Sequence, residues 1–306
     1  MRIDKDKLNK FLILVKDKTD ITALELIEKD LYLNILLSKL NLENYVFKGG
    51  TCLAKVYLNY FRFSEDLDFT FTNQELWKGK STNEIKKVCK EKIDSLGEQI
   101  EKIGFEFKFD KKDAKYVILG SNNKLVTFKV HYTSVLTGTP SFIKIQINFL
   151  EKIIFPYQIK ELISLIKPPQ FTEEDQIYFK EFLEFYKTTK IEVYNIKEIV
   201  AEKVRSLLTR KAIKSRDAID LLFIYNSFNI KPQDFINEIT EKILFSINNY
   251  EKYRKNLILT KDKLQTLEFR YSEVRPLVIK HFNKENFDAY VLDLKRLLIE
   301  LAEKIT

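Results

Sequence analysis

The stretch from Val46 to Thr72, VFKGGTCLAKVYLNYFRFSEDLDFTFT, sets the tightest limits on what this chain can fold into. It reads as a strand, a Gly-Gly turn, a helix, a loop and a second strand. In the second strand Asp66, Asp68, Thr70 and Thr72 share one face, while Leu67, Phe69 and Phe71 share the other. The apolar face requires a core, which pins the acids on the opposite side. Alternate strand residues lie about 6.5–7 Å apart at Cα. Two carboxylates so placed can converge on one divalent cation. A half-buried strand with a solvated acidic face has the same pattern, so the acids alone do not decide the matter.

The upstream half adds a second constraint. Val46 and Phe47 end an apolar run, and Gly49 and Gly50 break it. Thr51 is expected to open a helix with apolar positions Leu53, Val56, Tyr57 and Tyr60. Glycine lets backbone N–H groups approach a ligand closely, and a helix N-terminus adds partial positive charge there. An ordinary strand-to-helix turn capped by Thr51 is the plain alternative. The chain has only 7 glycines in 306 residues, so two side by side are informative. A phosphate-binding turn beside paired acids is the layout for phosphoryl or nucleotidyl transfer.

The run GGTCLAKVY followed by RFSEDLDF resembles the nucleotidyltransferase superfamily pattern of a Gly-Gly or Gly-Ser turn and a DxD strand. More narrowly, it is similar to the AbiEii-type abortive-infection toxins, whose pattern reads GGTxLxxxY and RxSxDLDF. The later run EIVAEKVRSLLTRKAIKSRDAIDLL resembles that family's second signature, AEKxR followed by RDxxDL. Together the two signatures cover about Leu31 to Ile224.

The resemblance implies an α/β (α+β) fold with a nucleotidyltransferase-like mixed sheet and flanking helices over residues 1–186. A mainly helical domain over 187–306 would follow, with the active cleft between them. Asp66 and Asp68 would hold Mg²⁺, and Gly49, Gly50 and Thr51 would hold phosphates. Arg62 and Ser64 would frame the acids and grip the triphosphate. Lys203 matches the family's motif lysine and would neutralise charge. Asp217 matches its RD aspartate and would serve as base, as a group behind the metal, or as partner of Lys203. The implied reaction moves a nucleotide from a nucleoside triphosphate to RNA, tRNA included, or to a protein hydroxyl. The protein would be a toxin paired with a separate antitoxin.

One departure from the superfamily bears on this reading. The strand Ile143–Phe149 turns Ile143, Ile145, Ile147 and Phe149 one way and Lys144, Gln146 and Asn148 the other. A third carboxylate commonly sits there, and its place falls on Gln146 or, second, Asn148. An amide oxygen ligates Mg²⁺ weakly and is no general base. Either the base comes from elsewhere, with Asp217 as candidate, or the chain is a weakened enzyme. The latter favours a nucleotide- or RNA-binding protein with little turnover.

The rest of the chain supports the layout. Residues 1–42 read as helices, with Thr22 to Asp30 helical in pattern, and Lys29-Asp30 is read as scaffold. Ser81–Gly104 carries a helical stripe capped at Thr82 or Asn83. Phe105–Phe109, Lys124–Tyr132 and Ser141–Leu150 alternate as strands, giving a mixed sheet of about five. Lys190–Val193 is a further short strand. Asn195 with Glu198 forms a capping box for the next helix. That helix puts Lys203 inside an apolar stripe, where it must be paired, by phosphate or by Asp66 and Asp68, or reach outward. Arg205 lands on the opposite face. Asp217 and Asp220 fall in the first turn of the following helix, where the dipole alone accounts for Asp220. From Lys231 onward the chain reads as helical, broken at Glu273–Pro276.

Composition excludes some chemistry. Two cysteines, Cys52 and Cys89, and two histidines, His131 and His281, support neither a disulfide framework nor a zinc site. There is no signal-peptide pattern and no run near ~20 apolar residues, so a cytoplasmic protein without membrane segments is expected. The net charge of +8 permits a polyanionic partner. From Lys187 to Arg216 nine Lys/Arg meet three acids, a local balance of +6.

Overall fold

A computed structural model describes residues 4–19, 21, 23–275 and 278–305. Thr22 and Pro276, the ends of two expected features, lie outside the described residues. The chain divides into two units. One comprises Met1–Val56, Ser64–Leu150 and Ile159–Val193; the other comprises Tyr57–Phe63, Glu151–Gln158 and Tyr194–Thr306.

The first unit is built on a mixed sheet of seven strands: β1 (Tyr45–Lys48), β2 (Asp66–Phe71), β3 (Val117–Gly120), β4 (Leu125–Thr133), β5 (Pro140–Asn148), β6 (Gln158–Glu161) and β7 (Lys190–Val193). Their order is β3-β4-β5-β2-β1-β7-β6. Strand β2 runs antiparallel to β1 and parallel to β5, and β4 runs antiparallel to β5. Alternation decides the register. Leu67, Phe69, Phe71, Phe128, Val130, Ile143, Ile145 and Ile147 are all buried. Fully burying such a side chain contributes about 1.5–3 kcal/mol. A one-residue slip of β2 would forfeit three of them and drive both acids inward. The opposite face of β4 and β5 is only partly buried.

The helices of this unit are α1 (Lys5–Asp17), α2 (Leu24–Lys39), α3 (Gly49–Cys52), α4 (Thr82–Ile103) and the short α5 (Glu173–Tyr178) and α6 (Lys180–Leu183). Ser81, not Thr82 or Asn83, caps α4, through a full capping box with Glu84. Gly104 ends it in the left-handed conformation, φ 89°. Helix α4 packs on β4 and on α2.

Several expectations need correction. Phe105–Phe109 is not a strand; only Glu106 pairs, in an isolated bridge to His131. Its place is taken by β3, and the edge strand β6 was not foreseen, so the sheet has seven strands rather than about five. The helix after the glycines begins at Gly49, and Leu53–Tyr57 is a π-helical turn. It stops before Asn59 and Tyr60, both at positive φ. Thr51 is not a cap; its hydroxyl donates to the Asp66 carbonyl at 2.5 Å.

The second unit consists of α7 (Ile196–Thr209), α8 (Ser215–Phe228), α9 (Ile236–Asn249), α10 (Glu251–Leu264), α11 (Tyr271–Val274) and α12 (Lys284–Ile305). Helix α7 packs against α8, α9, α10 and α12. It is therefore buried nearly all round, and Arg205, expected on an open face, is only 6% exposed. Asn195 caps α7 by accepting from Lys197 N. Glu198 does not complete a capping box. It is fully buried, accepts from Ile154 N and Phe155 N, and pairs with Lys242 at 2.5 Å. Burial alone would lower Lys242, but Glu151 and Glu198 outweigh it and hold the amine above its ordinary value.

Candidate active site

The first unit brings the glycine turn and the acidic strand together. Lys48 ends β1 directly opposite Asp68. The chain then turns at Gly49, whose φ is +78°, a region glycine enters without a Cβ penalty. A Cβ built there would lie 2.2 Å from Asp68 Oδ2 and 2.9 Å from its Cγ. The Asp68 carboxylate thus rests in the space a side chain would fill. Gly50 and Thr51 continue in helical conformation, and the Thr51 hydroxyl fastens this turn to the first residue of β2. Below it, Lys55 of the π turn reaches Asp30 at 2.5 Å and Asn34 at 2.8 Å, all three buried. Asp30 is scaffold, as its place in the Lys29-Asp30 pair suggested: it anchors the turn to α2.

Asp66 and Asp68 both lie on the partly exposed side of β2. Asp66 faces Lys144 across β5, with Nζ and Oδ2 3.8 Å apart. Asp68 faces Gln146. Gln146 is exposed and donates to Thr127 Oγ1 at 3.2 Å. Register therefore places an amide, not a carboxylate, beside Asp68. Ser64 is half-buried just ahead of β2. No group of three or more His, Cys, Asp or Glu side chains suited to a metal occurs among the described residues. Two carboxylates still fit Mg²⁺, which keeps several waters and takes substrate phosphate oxygens. The Gly49 cradle holds one of them in a fixed position.

The second unit gathers the remaining candidates into one chain of buried charge. Lys203 is paired with Asp217 and Asp220, each at 2.6 Å. Arg62 grips Asp220 with two bonds, Nε to Oδ1 at 2.5 Å and a terminal nitrogen to Oδ2 at 2.7 Å. Arg210 reaches Asp217 at 2.7 Å and leaves 40% of its side chain exposed. Burial alone would raise Asp217, but Lys203 and Arg210 outweigh it; likewise Arg62 and Lys203 outweigh burial at Asp220. Both carboxyls sit below the ordinary carboxylate value.

Three expectations change here. Lys203 is paired by Asp217, one of the roles expected of that aspartate, and by Asp220 as well, not by Asp66 and Asp68. Asp220 is fully buried and doubly paired, so the helix dipole does not account for it. Arg62 is committed to Asp220 and to the Phe63 carbonyl, with 3% exposure, rather than open to a triphosphate. Sequence reasoning passed over Lys48 and Lys144. Strand parity was the available signal, since each shares the face of the acid beside it.

A family model for the nucleotidyl transferase AbiEii toxin of a type IV toxin–antitoxin system matches residues 34–296. The chain belongs to the AbiEii family. An AbiEii protein is a nucleotidyltransferase, so a nucleotide substrate and an antitoxin partner come with membership. No curated protein matches the chain. Among solved structures it is similar to JHP933 from Helicobacter pylori, with 14% identity and a TM-score of 0.39 over 99% of this chain and 95% of that one. It is also similar to an H. pylori protein assigned as a nucleotidyltransferase, with 15% identity and a TM-score of 0.41 over 92% and 95%. Among the described residues of this AbiEii member, no helix is long and apolar enough to cross a membrane.

Proposed function

We propose that this AbiEii protein transfers a nucleotide from a nucleoside triphosphate to a hydroxyl of RNA, with Mg²⁺ held by Asp66 and Asp68. The observation that carries the reading is the Asp68 carboxylate seated against Gly49, with Asp66 one pleat away on the same face. The cation, when bound, neutralises phosphate charge and activates the transferred phosphorus. Gly49, Gly50 and Thr51 present backbone N–H groups for triphosphate oxygens. Ser64 frames the acids from the loop ahead of the strand.

Lys203 has three ammonium donors, and its ion pairs take two. We assign the third to a phosphate oxygen, where a fixed positive charge offsets charge developing in transfer. Asp217 and Asp220 hold that amine in one orientation, and Arg62 holds Asp220. Arg62 thus acts through Asp220, as a positioning residue. Asp217, buried with its oxygens engaged by Lys203 and Arg210 and held below the ordinary carboxylate value, is unsuited to the base role and serves as the partner of Lys203.

A second reading is favoured by Gln146 itself: a nucleotide- or RNA-binding protein with little turnover. One experiment separates them. The protein is incubated with Mg²⁺, each α-labelled triphosphate and total RNA. Label in RNA, lost in Asp66→Ala, supports transfer. Tight nucleotide binding with no label moved rejects transfer and leaves the binding reading. Label appearing in protein instead shifts the acceptor from RNA to a protein hydroxyl.

A further inference from the structure

The sheet face that carries Asp66 and Asp68 continues outward across β5 and β4, and its composition changes in a consistent way. On β5 the residues of that face include Phe142, Lys144 and Gln146; on β4 they include Thr127, Lys129 and His131. Register sets His131 beside Phe142, Lys129 beside Lys144 and Thr127 beside Gln146. Three rings form a row: Tyr116 to His131 with centroids 5.6 Å apart, and His131 to Phe142 at 5.4 Å. Phe142 is 39% exposed, unusual for a large ring within a strand.

Amines border the row. Lys144 Nζ lies 5.7 Å from the Phe142 centroid and 3.8 Å from Asp66. Lys115 Nζ lies 4.9 Å from the Tyr116 centroid, and Lys129 donates to the Ala114 carbonyl. Acids also border the row: Glu106, which accepts from Thr133, and Asp113, which accepts from Lys115 N.

One exposed ring, Phe142, backed by the half-buried His131 and Tyr116 and bordered by lysines, suits single-stranded nucleic acid: a base stacks on Phe142 and phosphates meet the amines. Phe142 is one pleat from Lys144, hence about 6.5–7 Å from it at Cα, and Lys144 borders Asp66. We propose that the Tyr116–His131–Phe142 row, with Lys115, Lys129 and Lys144, is the docking platform for the single-stranded 3′ end of an RNA acceptor. It rests on the transfer reading for its biological use, but binding can be measured without transfer. Stacking tolerates any base, so this platform places the strand, and base selection lies elsewhere.

The test uses the full chain and a 5′-fluorescein-labelled single-stranded oligoribonucleotide with a free 3′-hydroxyl. Binding is followed by anisotropy across a salt series. Phe142→Ala should weaken binding about tenfold, and Phe142→Trp should restore it. Lys129→Gln should weaken it with a salt slope about one smaller, whereas Phe142→Ala should leave the slope unchanged. Asp66→Ala should bind RNA within threefold of wild type while transferring nothing. Unchanged binding in Phe142→Ala, or no RNA binding by the wild type, overturns the platform. If wild-type RNA binding is absent while label moves to a protein, this face serves no RNA and the transfer reading survives with another acceptor. If binding follows the pattern above but no label moves with any triphosphate, transfer fails and the platform stands.

Discussion

Replacing Gly49 by alanine tests the central geometry most directly. The new Cβ would lie 2.2 Å from Asp68 Oδ2, and ordinary contact begins near 3.4 Å, so the carboxylate must retreat by about 1.2 Å. A shift of about 1 Å at a reacting centre can cost roughly 10²-fold in rate. The φ of +78° adds a conformational cost of about 1–2 kcal/mol for a residue with a side chain. That is small beside the ~5–15 kcal/mol stability of a typical domain. Gly49→Ala should therefore stay folded, melt lower by about 2–8 °C, and transfer label about a hundredfold more slowly at saturating triphosphate and Mg²⁺. Thermal melting by circular dichroism and the α-label assay read the two effects separately. A rate within threefold of wild type in a folded variant would refute the claim that Asp68 acts from its seat against Gly49.

Other perturbations read the charged groups. Lys203→Ala leaves two buried aspartates short of a cation, a loss of about 3–5 kcal/mol; adding Asp217→Asn, whose other partner Arg210 is 40% exposed while Asp220 keeps Arg62, should recover part of the melting temperature but not transfer. Asp217 and Asp220 have folded values below the 3.8 taken for the unfolded chain, so their stabilisation is complete above that value and lost as pH falls through the folded values. Denaturant titrations from pH 7 down to 3 should therefore show an acid limb below about pH 4, shallower in Asp220→Asn. Gln146→Glu puts a carboxylate opposite Asp68 and should lower the Mg²⁺ concentration giving half-maximal transfer several-fold; an unchanged Mg²⁺ titration would mean that β5 does not face the cation.

The parts of this molecule written in short-range patterns could be read in advance. Leu67, Phe69 and Phe71 against Asp66 and Asp68 fixed one face of β2, and Gly49 announced the turn. The same logic misread Phe105–Phe109: β3 pairs with Leu125–Phe128 of β4, and at His131 only Glu106 of that run forms a single bridge. Strand β6, with the sequence QIKE, has too few apolar residues to announce itself. The second unit was least legible. Arg62 and Asp220 are 158 residues apart in sequence, and no local periodicity encodes such a pair. Lys203 showed that a partner was required and Asp217 was one expected partner, but only the tertiary fold could add Asp220 and, through it, Arg62.

The division of the chain has a practical consequence. Tyr57–Phe63 and Glu151–Gln158 lie in sequence between segments of the first unit yet belong to the second. Neither half is thus a self-sufficient gene segment. A fragment ending at Val193 would carry Arg62 without Asp220, and one beginning at Tyr194 would carry Glu198 without the Ile154 and Phe155 amides that it caps. Cutting the chain at that point would therefore leave buried ions in each piece without their counterparts.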